Sequence, residues 1–231
     1  MIYISYIGIM LKTSAILAIL VVTTMFLNAC SMANASAIAI PNPKFDAPLA
    51  TTKGEQKAVL AGGCFWGIEA VFEHVKGVSK AESGYSGGSA ANAQYSNVTS
   101  GTTGHAESVR ITYDPSQITY GQLLKVFFAV AHNPTELNRQ GPDVGTQYRS
   151  AIFYTNEEQK RIAESYIEQL DQAKVFEGKI ATQLVQLTAF YEAEAYHQNY
   201  LVNHPNQPYI VHHDMPKLAN LRKSLPELYK D

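Results

Sequence analysis

The run Ala58-Val59-Leu60-Ala61 contains no polar side chain and stops at Gly62-Gly63. Just beyond it, Ile68, Val71, Phe72 and Val75 recur at helical spacing. A short apolar run bounded by glycine suits a buried strand, and the 3.6-residue repeat suits a helix packed against it. A strand that passes through a glycine turn straight into a helix commits the chain to layers of helix on sheet. Between the two elements stands Gly62-Gly63-Cys64-Phe65-Trp66-Gly67. A thiol at the first turn of a helix faces unsatisfied backbone N–H groups and the positive end of the helix dipole. Both favour the thiolate, so Cys64 is expected to be ionised well beyond the roughly 3% of an ordinary thiol at neutral pH. The flanking glycines let a substrate come close to the backbone. A thiol buried as a small apolar side chain is the alternative, and it leaves the glycines unexplained.

The alternation of elements continues. Residues 108–113 alternate as a strand does and are stopped by Asp114-Pro115; residues 150–154 and 181–187 also read as strands. Thr119 with Gln122 forms a capping-box pattern ahead of a helix carrying Leu123, Leu124, Phe127 and Val130. Thr155 with Glu158 forms another, opening a helix through Leu170, and residues 192–202 are predicted helical. Residues 84–104 and 133–145 read as long loops, which inside compact domains usually carry function. Beyond Pro205 only a weak helical stretch near 218–225 is visible. The pattern indicates an α/β or α+β sandwich in one domain, and 231 residues with 46% hydrophobic content support its core.

Composition excludes several classes. A formal net charge of −2 without a long basic block argues against nucleic acid as a partner. Two cysteines cannot form a disulfide scaffold or a four-thiolate zinc site, and neither a CxxC pair nor an HExxH motif is present. His212 and His213 are adjacent and make a poor chelate, so no metal is expected.

The N-terminal segment predicts export. Residues 1–29 carry one charge, Lys12, followed by the apolar stretch AILAILVVTTMFL, of signal-peptide length. Met10-Leu11-Lys12 makes a better n-region than Met1. Leu27-Asn28-Ala29-Cys30 reads as a lipobox and Ala33-Asn34-Ala35 as an ordinary cleavage site; an uncleaved anchor is the third reading. All three place residues 57–231 outside the cytoplasm, in the periplasm, as a membrane-attached lipoprotein or a released protein. Residues 1–35 are thus the leader, residues 36–56 a tether rich in Ala, Pro, Asn and Thr, and residues 57–231 the functional domain. With the leader cleaved, Cys64 is the domain's one thiol and has no internal disulfide partner.

Five separated motifs occur in order: Gly63-Cys64-Phe65-Trp66-Gly67, Gly84-Tyr85-Ser86-Gly87-Gly88, Thr103-Gly104-His105-Ala106-Glu107, Asp143-Val144-Gly145-Thr146-Gln147-Tyr148-Arg149-Ser150, and Tyr196-His197-Gln198-Asn199-Tyr200. Together they resemble the peptide methionine sulfoxide reductase A family, in order from about Lys57 to Pro208, which is most of the mature domain. The resemblance implies an α+β fold, a two-layer sandwich with a ferredoxin-like mixed sheet, flanking helices and a long irregular C-terminal tail. It also implies reduction of methionine S-sulfoxide, free or peptide-bound, and hence repair of oxidised exported proteins by a monomeric enzyme without a bound cofactor. Cys64 would attack the sulfoxide sulfur and Glu107 would act as the acid. Tyr95 and Tyr148 would donate hydrogen bonds to the sulfoxide oxygen. Phe65 and Trp66 would wall the methyl pocket, and Asp143 and Tyr200 would shape it and hold the substrate backbone.

The chain departs from many relatives in lacking resolving cysteines, both near Thr99 and in the C-terminal tail. Cys64 should therefore rest as a sulfenic acid after each turnover and be restored by an external thiol, whether thioredoxin, glutaredoxin or a small molecule. Two rival readings fit the residue types. One is a cysteine hydrolase using His105 or His197 as base with Asp143 as its orienter. The other is a non-catalytic module that captures oxidised peptides.

Overall fold

A computed structural model describes residues 40–231. The leader and its cleavage sites lie outside the described residues. Strands β1 (Gln56–Gly62), β2 (Val78–Ser86), β3 (Ala106–Tyr113), β6 (Ser150–Tyr154), β7 (Gln183–Gln186) and β8 (Phe190–Glu192) form one mixed sheet in the order β7-β6-β1-β3-β2-β8. All its pairings are antiparallel except β6 with β7. Two-residue strands β4 (Arg139–Gln140) and β5 (Asp143–Val144) pair separately inside the loop 133–145. The helices are α1 (Phe65–Glu73), α2 (Tyr95–Val98), α3 (Tyr120–Val126), α4 (Glu157–Gln172), α5 (Tyr200–Asn203) and α6 (Met215–Ser224). Single π turns extend α3 through Phe127–Ala131 and precede α6 at Ile210–Asp214. The fold is α+β, as the motifs implied.

The unbroken apolar run in β1 has a direct cause. Ala58 and Leu60 join the main core beneath the helices, while Val59 and Ala61 join a smaller core on the other face with Ala106, Ala151 and Phe153. Both faces of the central strand are covered, so its sequence does not alternate. In β3, Val109, Ile111 and Tyr113 point into the main core, and the two-residue period puts Glu107 on the same side. The ladder between β1 and β3 reaches the Leu60–Val109 pair. Gly62 lies two residues past it on one strand and Glu107 two residues past it on the other. The thiol turn and the carboxyl thereby emerge at the same end of adjacent strands.

Several elements differ from the sequence expectations. Strand β2 covers residues 78–83, to which the sequence pattern assigns no element, and the first three residues of the expected loop 84–104, because its pattern is broken by a bulge between Val78 and Lys80 and by the buried Glu82. That carboxylate is held by Arg110 Nε at 2.9 Å and Lys80 Nζ at 2.5 Å. The expected helix over 192–202 is instead the end of β8, a 3₁₀ turn at Ala195–His197 and the short α5. Side chains substitute there for helical bonding: Gln198 bonds Ser83 N and Ser83 O at 3.0 Å each, and Asn199 takes a left-handed φ of 53°. The box at Thr119–Gln122 forms in both directions. The one predicted at Thr155 moves by a residue, with Asn156 Oδ1 accepting from Gln159 N while Thr155 donates to the Gln159 side chain. The long irregular tail expected beyond Pro205 is instead largely helical, the π turn Ile210–Asp214 running directly into α6.

The described part of the predicted tether lies along the domain. Tyr166 Oη donates to Pro41 O at 2.7 Å, and Gln169 bonds both Asn42 O and Lys44 N. Asp46 accepts from Thr119 Oγ1 and from Gly121 N. Among the described residues no helix is long and apolar enough to cross a membrane.

Candidate active site

Cys64 is the N-cap of α1, 7% exposed and without a disulfide. Gly63 before it has φ +105°, and a Cβ there would lie 2.6 Å from Gln140 Cβ. Gln140 is itself fixed by hydrogen bonds to both backbone groups of Asn133 at 3.0 Å. Loop 133–145 thus closes directly on the thiol turn.

Glu107 is 2% exposed, and its Oε2 accepts the Phe65 N–H at 3.1 Å. Burial pushes its carboxyl up to about 8, against the pull of that amide, and the charges of Asp143 and Asp214 push the same way. It is a neutral acid at neutral pH. The expectation of an ionised Cys64 is corrected: burial drives the thiol upward, Glu107 and Asp214 add to this, and the Trp66 amide and Lys217 only partly oppose it. The helix start does favour a charge, but it acts through one amide on the sulfur and shares its first N–H groups with Glu107. Desolvation outweighs it. In the substrate-free protein both groups hold their protons.

Tyr95 opens α2, with its amide donating to Glu194 Oε1 at 2.9 Å. Glu194 Oε2 accepts from Tyr85 Oη at 2.9 Å, and Tyr85 stands opposite Glu107 in the β2–β3 ladder. Burial, with Glu107 and Cys64, pushes the Tyr95 phenol up to about 12. Burial likewise raises the Tyr148 phenol, with Glu107 and Asp143 contributing. Both remain proton donors at neutral pH. Tyr148 ends the turn Thr146–Tyr148, which Arg149 ties to the other motif through bonds to Gly104 O, His105 O and Thr146 O.

Trp66 is half-buried. It stacks on Tyr200 at 3.7 Å and 7°, meets the Tyr209 ring edge-on at 6.0 Å, and donates Nε1–H to His197 Nδ1 at 3.1 Å. Phe65, expected as a pocket wall, is fully covered and packs on His197 and Tyr85. Asp143 Oδ2 accepts a hydrogen bond from the Tyr209 hydroxyl. The structure therefore gathers Cys64, Glu107, Tyr95, Tyr148, Trp66, Asp143 and Tyr200 around one end of the sheet. Sequence reasoning missed Tyr209, Glu194, Asp214 and Lys217. Tyr209 and Asp214 lie in the tail that showed little pattern, and Glu194 stands two residues before the last motif.

The hydrolase arrangement is not formed. His105 clamps a loop, bonded to Gly88 N and Ser89 O; His197 takes the indole proton; and Asp143 serves a tyrosine. Among the described residues no three His, Cys, Asp or Glu side chains are grouped as metal ligands.

A family model described as peptide methionine sulfoxide reductase matches residues 56–228. The chain belongs to the peptide methionine sulfoxide reductase family. It is 60% identical over 178 residues to a peptide methionine sulfoxide reductase MsrA 2 of Mesorhizobium japonicum, covering 77% of this chain and 91% of the relative. A protein of the same description from Synechocystis is 52% identical over 193 residues, covering 83% and 90%. Among solved structures, methionine sulfoxide reductase A of Corynebacterium diphtheriae superposes with a TM-score of 0.58 at 34% identity, covering 75% of this chain and 91% of that one. Reduced Mxr1 of Saccharomyces cerevisiae gives 0.60 at 33% identity, covering 71% and 92%. This member of the reductase family is accordingly an oxidoreductase acting on methionine sulfoxide.

Proposed function

We propose that the enzyme reduces the S epimer of methionine sulfoxide, free or in peptides, by a single-thiol cycle centred on Cys64. The observation that carries this reading is the buried Glu107 carboxyl, kept protonated on the amide that follows the thiol residue. The sulfoxide oxygen takes the Glu107 proton while Tyr95 and Tyr148 donate hydrogen bonds to it. As the oxygen gains its proton, the sulfoxide sulfur becomes electrophilic and the Cys64 sulfur attacks it. The thiol proton returns to Glu107, the oxygen passes to Cys64 as a sulfenic acid, and methionine departs. Trp66, stacked on Tyr200 and edged by Tyr209, offers the S-methyl group an apolar surface.

Recycling requires thiols from outside the domain. One thiol attacks the sulfenic acid, releasing water and leaving a mixed disulfide; a second displaces Cys64 as a thiol and carries off the disulfide. The sequence supports this, since Cys64 and Cys30 are its two cysteines and Cys30 lies in the leader. A thioredoxin-like protein, a glutaredoxin or a small thiol meets the chemical need. The apolar leader supports export to the periplasm and repair of oxidised proteins there, by a monomer with or without a lipid anchor.

The test is a single turnover without reductant, read by mass spectrometry. One methionine should appear per chain, with one oxygen added to the Cys64 peptide. Glu107→Gln should bind substrate and form that adduct ~10²–10⁴-fold more slowly. Unchanged turnover in that variant, or a disulfide within the mature chain, would refute the cycle.

A further inference from the structure

The chemistry above leaves unused a buried ion pair beside the thiol helix. Asp214, the last residue of the π turn, is completely buried, and its Oδ1 accepts from Lys217 Nζ at 3.1 Å. Its Oδ2 has no hydrogen-bond partner among the described residues. A carboxylate buried with half its acceptors empty is expensive, and an i,i+3 pair on a helix start needs no burial to form. The position of the pair is what stands out. A Cβ added at Gly67 would lie 2.1 Å from Asp214 Oδ1 and 2.9 Å from Lys217 Nζ. Gly67 is three residues after Cys64, on the same face of α1 and one turn along. The ammonium is thus laid on the bare backbone of the helix whose start carries the thiol.

We propose that Lys217, held in place by Asp214, is a positioning residue that supplies the counter-charge to the Cys64 sulfur whenever that sulfur is a thiolate. The proposal rests on reading Cys64 as the nucleophile. The groups facing the sulfur come from several elements. Glu107 on β3 and Asp214 before α6 bring negative charge toward it, and Lys217 on α6 brings the positive charge. Tyr95, Tyr148 and Tyr209 are phenols in the same field, raised by burial and neutral at neutral pH. Asp143 is engaged with Tyr209 and acts on Glu107. His132, buried under Gly62 and bonded to Ser150 Oγ, is pushed down to about 3 by burial and stays uncharged; His213 faces Asp214. With 16% of its side chain exposed, Lys217 acts through protein rather than water, so its field is little screened.

The two members of the pair act on the thiolate with opposite signs, and the test uses this. The rate of alkylation of Cys64 by iodoacetamide is followed against pH in the whole chain, resolved at the Cys64 peptide by mass spectrometry. Lys217→Gln should move the midpoint upward by about one pH unit, whereas Asp214→Asn, which keeps a side-chain oxygen to accept from Lys217 and removes only the negative charge, should move it downward by a similar amount. Shifts in the same direction, or none in either variant, would overturn the assignment. Should Asp214→Asn not fold, Lys217→Arg must keep the wild-type midpoint while Lys217→Met raises it, and equal midpoints for those two would overturn it as well. Alkylation needs no sulfoxide turnover, so a failure of the proposed cycle leaves this result readable.

Discussion

Keeping Glu107 protonated has a cost that can be measured as stability. The carboxyl moves from an ordinary 4.5 in the unfolded chain to about 8 in the folded one, chiefly by burial. The sign follows from linkage: a group raised on folding weakens the fold as pH rises, fully stable below the unfolded value and progressively less so up to the folded one. Each pH unit inside that window removes about 1.4 kcal/mol. Between about pH 5 and about pH 7 the loss accumulates to about 2.5 kcal/mol, a large share of a domain's typical stability. Glu107→Gln keeps an acceptor for the Phe65 amide but has no proton to lose. Urea unfolding of both proteins, followed at the two pH values, isolates the effect, because every other titrating group is common to both. The variant should gain about 2.5 kcal/mol on the wild type between them, and the loss of activity should accompany a gain in stability at the higher pH. If the two stability curves run parallel, Glu107 is not held protonated by burial, and the acid role derived from it fails.

Two further outcomes follow from the site. Tyr209→Phe removes the proton that Asp143 accepts, which should raise KM several-fold with kcat little changed, corresponding to about 1 kcal/mol of lost positioning; a purely kcat effect in steady-state assays would place Tyr209 in the chemistry instead. Gly63→Ala forces a side chain into a left-handed backbone and against Gln140, and thermal unfolding should register at least about 1–3 kcal/mol of destabilisation; wild-type stability would show that the closure of loop 133–145 over the thiol turn is loose.

The parts of the fold legible in the sequence were those in which one local rule acted alone. Strand β1 announced itself because both of its faces are apolar, and α3 because Thr119 and Gln122 bond each other's backbone. Strand β2 was hidden because Glu82 is neutralised by Lys80 and Arg110, and those contacts cannot be seen from spacing. The segment after β8 was misread for a related reason: Glu194 and Gln198 bond groups on α2 and β2 that lie about a hundred residues away in sequence. In the site, the residues Cys64, Glu107, Tyr148 and Tyr200 lie within sequence motifs, whereas Tyr209 and Lys217 reach it from a tail with weak patterning. The ionisation of Cys64 was mistaken because a helix start is visible in sequence and the depth of burial is not.

The thiol turn and the acid sit at the ends of β1 and β3, the two neighbouring strands at the middle of the sheet, and β1 is packed on both faces. Amides in such strands exchange with solvent only through the rarest, whole-molecule openings. The spacing between sulfur and carboxyl is therefore insulated from the fraying that affects loops and chain ends. Heat should silence this enzyme and melt it over the same few degrees, with no inactive yet folded state in between.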